Sequence, residues 1–264
     1  MPLVVTNDIT TYYESHGEGR PIVFIHGAGA SHHMWQPQVE HFSSDYEVIT
    51  YDVRGHGQSE GSDSGYSCEL FADDLCALLE RLDVKKPVVC GLSLGGMIAE
   101  EYAVKYHGDL QALVLADTAA SSALNWSDKL QKTLFPKFAV KLLIRLLSRE
   151  RYAAFAFSFF KDIQPEVKEY LVEEHLKFSK AELLKVTDAI YDFGLLDLTR
   201  ITVPTLVVVG ERERKAVLVH AEKMHELIKD SSVVTIHQAM HASNLENPRQ
   251  FNEALEDFFL RLPA

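Results

Sequence analysis

Ser93 stands at the centre of Gly91-Leu92-Ser93-Leu94-Gly95, directly after the apolar run Pro87-Val88-Val89-Cys90 and directly before apolar residues at helical spacing from Leu94 to Tyr106. On a strand-to-helix turn, a G-x-S-x-G holds the serine in a strained conformation with its hydroxyl exposed. The flanking glycines let strand and helix approach without a Cβ clash. A serine hydroxyl is a poor nucleophile at neutral pH, so a base must take its proton during attack. An imidazole in that role is held in the correct tautomer by an acidic partner. Glycine and serine also build ordinary turns, so these five residues acquire meaning only with a base, an acid and the elements that bring them together.

Of the 12 histidines, His241 follows the last apolar run, where the C-terminal edge of a sheet would return it towards Ser93. It opens the segment His241-Ala242-Ser243-Asn244-Leu245-Glu246-Asn247-Pro248. His237 is the rival, although a histidine at a strand end is expected to make structural hydrogen bonds. The adjacent His32 and His33 have no further ligands at metal spacing and read as exposed loop residues. No metal site and no cofactor are expected.

The elements that must position these residues are visible as alternation. Apolar, β-branched runs predict strands at 3–6, 11–14, 21–25, 47–51, 87–90, 110–116, 204–209 and 232–236. Helical patterns lie between them at 34–42, 68–82, 94–106, 216–228 and 248–260. Near-continuous apolar strands alternating with helices predict an α/β fold with an eight-stranded, mostly parallel sheet and helices on both faces. The turn His16-Gly17-Glu18-Gly19-Arg20-Pro21 suggests that the second and third strands form an antiparallel hairpin.

The alternation breaks after Asp117-Thr118 and resumes at Pro204, and everything between reads as helix. The expected organisation is therefore a core of residues 1–118 and 201–264 with a helical insertion at 119–200. Within it Phe135, Phe138, Leu142, Leu143, Leu146, Tyr152, Phe155, Phe157, Phe159 and Phe160 form an aromatic and aliphatic stretch. Each residue taken singly is expected to pack as core, and the insertion as a whole to roof a site at the C-terminal ends of the strands.

The net charge of −12 opposes binding to nucleic acid or an anionic membrane. The first residues lack a basic and apolar leader, and no stretch offers an apolar membrane span. Cys68, Cys76 and Cys90 have no metal-ligand spacing, and their odd number leaves a thiol unpaired. A cytoplasmic location is the expectation.

Taken in order, His26-Gly27-Ala28-Gly29, Asp52-Val53-Arg54-Gly55-His56-Gly57-Gln58-Ser59, the Ser93 turn and the His241 segment make the chain resemble the capped α/β-hydrolase family. That group includes small carboxylesterases, enol-lactonases and cofactor-free haloperoxidases, and the resemblance covers nearly the whole chain. It implies that the Ala28 and Leu94 amides form an oxyanion hole, that His26 braces its loop, and that Asp52 and Arg54 fix a loop rather than react. In the family the acid usually sits three residues past the glycine closing the seventh strand and is usually aspartate. The matching position after Gly210 is Glu213, with Asp117 as the main rival and Glu211 third. Met240, where relatives commonly have glycine, is expected to narrow the pocket beside the base.

The resemblance implies a serine hydrolase that cleaves carboxylic esters of small molecules through an acyl-enzyme. A lactone, a thioester or a carbon-carbon bond would use the same residues, and peroxide in place of water would give perhydrolase or haloperoxidase activity. Serine at the elbow disfavours the dehalogenase and epoxide hydrolase chemistries that need a carboxylate nucleophile. A ligand receptor on a hydrolase scaffold is the alternative from outside enzymes. Oligomeric state has no signature in the sequence.

Overall fold

The computed structural model describes residues 2–107 and 109–263. β1 (Leu3–Thr6), β2 (Ile9–His16), β3 (Arg20–Ile25), β4 (Tyr46–Tyr51), β5 (Val88–Leu92), β6 (Ala112–Ala116), β7 (Thr205–Gly210) and β8 (Ser231–Ile236) form one sheet. Its order is β1-β2-β4-β3-β5-β6-β7-β8. β1 and β2 run antiparallel to their neighbours, and every pairing from β4 to β8 is parallel. β5 and β6 are buried along their whole length, which is why they read as unbroken apolar runs.

Side chains alternate along each strand and so feed two cores. Ile22 and Phe24 meet α1 (Gln36–Phe42) and the C-terminal helix on one face of the sheet, through Phe42, Phe251 and Leu255. Val23 and Ile25 face the other layer. There α2 (Cys68–Arg81) and α3 (Leu94–Lys105) pack through Phe71, Leu75 and Ile98.

The expected hairpin between the second and third strands does not form. β4 lies between β2 and β3, pairing antiparallel with one and parallel with the other, and the antiparallel hairpin is instead β1–β2. Gly17, at φ 78°, presses so closely on the α1–β4 loop that a Cβ there would lie 2.2 Å from the Ser43 carbonyl oxygen. The turn therefore steps the chain over β4 instead of returning it alongside β2.

Between β6 and β7 come α4 (Trp126–Leu134), α5 (Lys137–Leu146), α6 (Arg149–Phe157), α7 (Pro165–Lys177) and α8 (Lys180–Asp192). Local signals start them: a capping box of Asn125 and Asp128 for α4, Ser148 and Ser179 as caps of α6 and α8, and proline in the first turn of α7. α5 turns Ile144 inward and meets α8 through Lys137–Asp192 at 2.8 Å and Lys141–Asp188 at 2.5 Å. Its opposite side stays uncovered, so Phe138, Leu142 and Leu146 are exposed instead of packing as core. The fold closes with α9 (Lys215–Leu227), the single turn α10 (Ser243–Glu246) and α11 (Pro248–Phe259), the C-terminal helix. Among the described residues no helix is long and apolar enough to cross a membrane.

Candidate active site

Ser93 occupies the one-residue turn between β5 and α3 at φ 56° and ψ −115°, a conformation that costs a non-glycine residue of order 1–3 kcal/mol. The surroundings hold it there. Ser93 N donates to the Ala116 carbonyl at 3.0 Å, and Thr118 Oγ1 donates to the Ser93 carbonyl at 2.6 Å. A Cβ on Gly91 would lie 2.1 Å from the Gly95 carbonyl oxygen, and one on Gly95 would lie 2.1 Å from the Ile25 carbonyl oxygen. The two glycines thus let α3 start against both β5 and β3.

His241 lies in the loop after β8, and its Nε2 is 3.0 Å from Ser93 Oγ. Its Nδ1 is 2.6 Å from Glu213 Oε2. With Nδ1–H donating to the carboxylate, Nε2 is left as the acceptor for the serine hydroxyl. Glu213 sits just past β7, in a turn closed by Glu213 N donating to the Gly210 carbonyl at 3.1 Å. Its side chain has no solvent exposure, while His241 is about one-fifth exposed. The second carboxylate oxygen of Glu213 accepts from Arg214 N at 2.8 Å.

The rival acids lie elsewhere. Asp117, fully buried, accepts from Gly210 N at 2.8 Å, Ser243 N at 3.2 Å and Ser243 Oγ at 2.5 Å, so it ties the ends of β6 and β7 to the loop after His241. Glu211 is exposed and faces the rival base, His237, at 3.4 Å. Environment separates the two buried carboxylates. Burial and the neighbouring Glu213 charge push Asp117 up to about 7. Burial works against ionised Glu213 as well, but the charge and hydrogen bond of His241 outweigh it and hold its carboxyl below the ordinary range. Burial would likewise depress His241, yet Glu213 beside it raises it above the ordinary histidine value.

Opposite the serine runs the loop after β3. A Cβ on Gly27 would be 3.5 Å from the Ser93 Cβ. The Leu94 amide opens α3, where a helix has no internal acceptor. Among the described residues neither it nor the Ala28 amide donates to a protein acceptor. His26 is fully buried: Nδ1 donates to the Gly27 carbonyl at 2.8 Å and Nε2 accepts from Val53 N at 3.0 Å. Asp52 accepts from His32 N, His32 Nδ1 and Gln58 N, each at 2.8 Å. Arg54 forks onto Asp74 at 2.7 and 2.5 Å. None of these side chains reaches Ser93. His32 is buried against Asp52, contrary to its reading as an exposed loop residue, whereas its neighbour His33 is exposed. Among the described residues no group of three His, Cys, Asp or Glu side chains is placed to hold a metal ion.

A cavity of about 220 Å³ opens above Ser93 and His241, walled by Met34, Leu92, Phe157, Phe160, Ile163 and Leu171. The Phe160 ring lies 5.1 Å from that of His241, and the Arg214 guanidinium lies over the Phe160 ring, 5.5 Å from its centre. Met240 is not part of this lining, contrary to its expected narrowing of the pocket: its side chain packs against the lining residues Ile163 and Ala242, and its amide is held by Glu246 at 2.7 Å. Three contributors were not read from the sequence: Thr118, Ser243, and His175, which α7 sends into the cavity. Val167, Leu171 and His175 share one face at four-residue spacing, a pattern that could have pointed to the last of these.

Sheet order, elbow and serine–imidazole–carboxylate geometry define a hydrolase fold, and the chain belongs to the alpha/beta hydrolase fold family, which it matches over residues 20–248. It is 28% identical over 258 residues to 3-oxoadipate enol-lactonase 2 of Acinetobacter baylyi, covering 96% of this chain and 94% of that protein. It is 32% identical over 262 residues to a putative non-heme chloroperoxidase of Synechocystis sp., covering 95% of each. Among solved structures, a thermophilic esterase from Thermogutta terrifontis with malate bound superposes with a TM-score of 0.85 at 27% identity, covering 98% of this chain and 97% of that one.

Proposed function

We propose that this hydrolase cleaves carboxylic esters of small molecules through a covalent acyl-enzyme, with Ser93 as nucleophile, His241 as base and then acid, and Glu213 as the carboxylate that orients the imidazole. The observation carrying this reading is the unbroken chain Ser93–His241–Glu213, at 3.0 and 2.6 Å, on the floor of an apolar cavity. Ser93 Oγ adds to the ester carbonyl carbon as its proton passes to Nε2. The Ala28 and Leu94 amides receive the developing oxyanion, a donor of this kind contributing about 3–4 kcal/mol to the transition state. Collapse expels the alcohol, protonated by His241. Water then adds to the acyl-enzyme, giving its proton to Nε2, and the acid leaves with Ser93 reprotonated.

In this reading residues 119–200 act as a cap whose Phe157 and Phe160 exclude water from the acyl group. A lactone is an internal ester and passes through the same steps, and the likeness to an enol-lactonase supports cyclic esters as substrates. The likeness to a chloroperoxidase favours a second reading, in which hydrogen peroxide replaces water as acyl acceptor. Comparing acid with peracid formation from one acyl donor separates the two. The free thiols of Cys68, Cys76 and Cys90 fit a reducing cytoplasm.

A fluorophosphonate tests the assignment of Ser93. The wild-type protein should be labelled and should cleave 4-nitrophenyl butyrate, and Ser93→Ala should do neither. A wild-type protein that neither reacts nor turns over the ester would overturn the esterase reading and leave a ligand receptor on the same scaffold.

A further inference from the structure

Among the described residues, the side chains lining the cavity that carry nitrogen or oxygen are Ser93, His241 and His175. Ser93 and His241 are bonded to each other, which leaves His175 as the one polar side chain free to meet a substrate. Its ring packs against two others: Tyr152 stacks at 5.9 Å and 24°, and Phe157 meets it at 5.7 Å and 85°. The helix is fixed as well. The preceding residue, Glu174, accepts from Ser31 Oγ at 2.7 Å, which docks this end of α7 on the far end of the oxyanion loop. His175 Nδ1 faces that loop so closely that a Cβ on Gly29 would lie 2.6 Å from it, and Gly29, at φ 71°, carries none.

The ring is half-buried in a mostly apolar wall and, among the described residues, makes no protein hydrogen bond, so a ligand entering the cavity can supply the partner that solvent otherwise provides. Burial holds its pKa below the ordinary histidine value, so at neutral pH the ring is uncharged, with one N–H to donate. Among the described residues no lysine or arginine lines the cavity, so a carboxylate on the substrate would find no cationic partner in its walls. An uncharged carbonyl oxygen suits both the donor and the apolar walls.

We propose that His175 is a substrate-positioning residue, and that the preferred substrates are esters or lactones carrying a second, uncharged carbonyl group within reach of its Nδ1. The proposal rests on the ester-cleaving role given to Ser93 and adds the class of substrate. The hydrogen bond orients the chain so that the scissile carbonyl meets Ser93, and its loss is felt only by substrates that have the second carbonyl.

The test pairs 4-nitrophenyl 4-oxopentanoate with 4-nitrophenyl pentanoate, and 2-oxopropyl butanoate with propyl butanoate, so that the second carbonyl lies on the acyl or the alcohol side. In at least one pair the oxo/alkyl ratio of kcat/KM should fall about tenfold in His175→Phe, the usual worth of one hydrogen bond. His175→Asn, whose amide nitrogen takes the place of Nδ1, should restore part of it. A purely structural role would lower both members of a pair together. Ratios unchanged in His175→Phe, with Ser93 still labelled by fluorophosphonate, overturn the subsite while leaving the esterase reading intact. Absence of labelling and turnover in the wild type overturns both.

Discussion

On the floor of the cavity, Ser93, Glu213 and His241 come from the ends of three strands and are joined to one another and to backbone amides by hydrogen bonds. In the roof, α6, α7 and the segment between them supply Phe157, Phe160 and Leu171, which line the cavity with apolar surface, and a polar ring, His175, without a protein hydrogen bond among the described residues. The floor is over-determined. Asp117 fastens the ends of β6 and β7 to the loop carrying His241, Arg212 N donates to the Ala239 carbonyl of the same loop, and the strained Ser93 is braced through both its amide and its carbonyl. Chemistry tolerates little displacement of reacting atoms, whereas an apolar wall tolerates exchange of one hydrophobic side chain for another of similar volume. On the proposed function, the floor would set the reaction type and the roof the choice of substrate.

The largest effect that could break this contrast lies at Ser93. Replacing a triad nucleophile with alanine lowers kcat by about a millionfold in such enzymes, and Ser93→Ala is expected to do so with its thermal midpoint preserved. A loss of only a few-fold would move the chemistry elsewhere. Next comes pH. Because Glu213 raises His241 above its ordinary value, the imidazole becomes a neutral base only above that raised value. kcat/KM should then fall about tenfold per pH unit below it, with the midpoint above the ordinary histidine value of about 6.5. An acid limb centred below that value would contradict the coupling.

The roof should answer in stability and not in chemistry. Ile144 is fully buried where α5 meets α8, so Ile144→Ala should cost about 2–4 kcal/mol in denaturant unfolding while ester turnover per folded molecule stays within a few-fold. Leu146, on the uncovered side of the same helix, should tolerate Leu146→Ser to within about 0.5 kcal/mol. Equal costs at the two positions would mean that the outer face of α5 is covered in solution.

Legibility in the sequence follows the same division. Gly91-Leu92-Ser93-Leu94-Gly95 announces a strand, a strained turn and a helix because each glycine answers a backbone contact local to the motif. Counting from Gly210 points to Glu213, whereas a glutamate in a loop of mixed charge gives no other sign of the buried position its side chain takes beside His241. The β2–β3 turn misled because its glycines satisfy a contact with the distant α1–β4 loop, and local turn chemistry cannot show which strand will slip between. His32 misled for a similar reason, since its partner Asp52 is distant in sequence and near only in space. Roof residues such as Phe138 and His175 carry no motif at all. A helical stripe tells which side chains share a face, but what that face meets is decided by tertiary packing.

The central claim is that Glu213, and not the equally buried Asp117, stands behind His241. Steady-state kinetics of Glu213→Gln and Asp117→Asn on one ester, followed across pH, test it most directly. Glu213→Gln should lower kcat by about ten-thousandfold, as loss of the orienting carboxylate does in such triads. Its residual activity should show an acid limb moved to lower pH, because removing the carboxylate takes away the main opposition to burial, leaving burial and Arg214 to depress His241 against the weaker pull of Asp117. Asp117→Asn keeps a side-chain acceptor for Gly210 N and should stay within about tenfold of wild type. The reverse pattern, with Glu213→Gln near wild type and Asp117→Asn inactive but folded, would contradict the account.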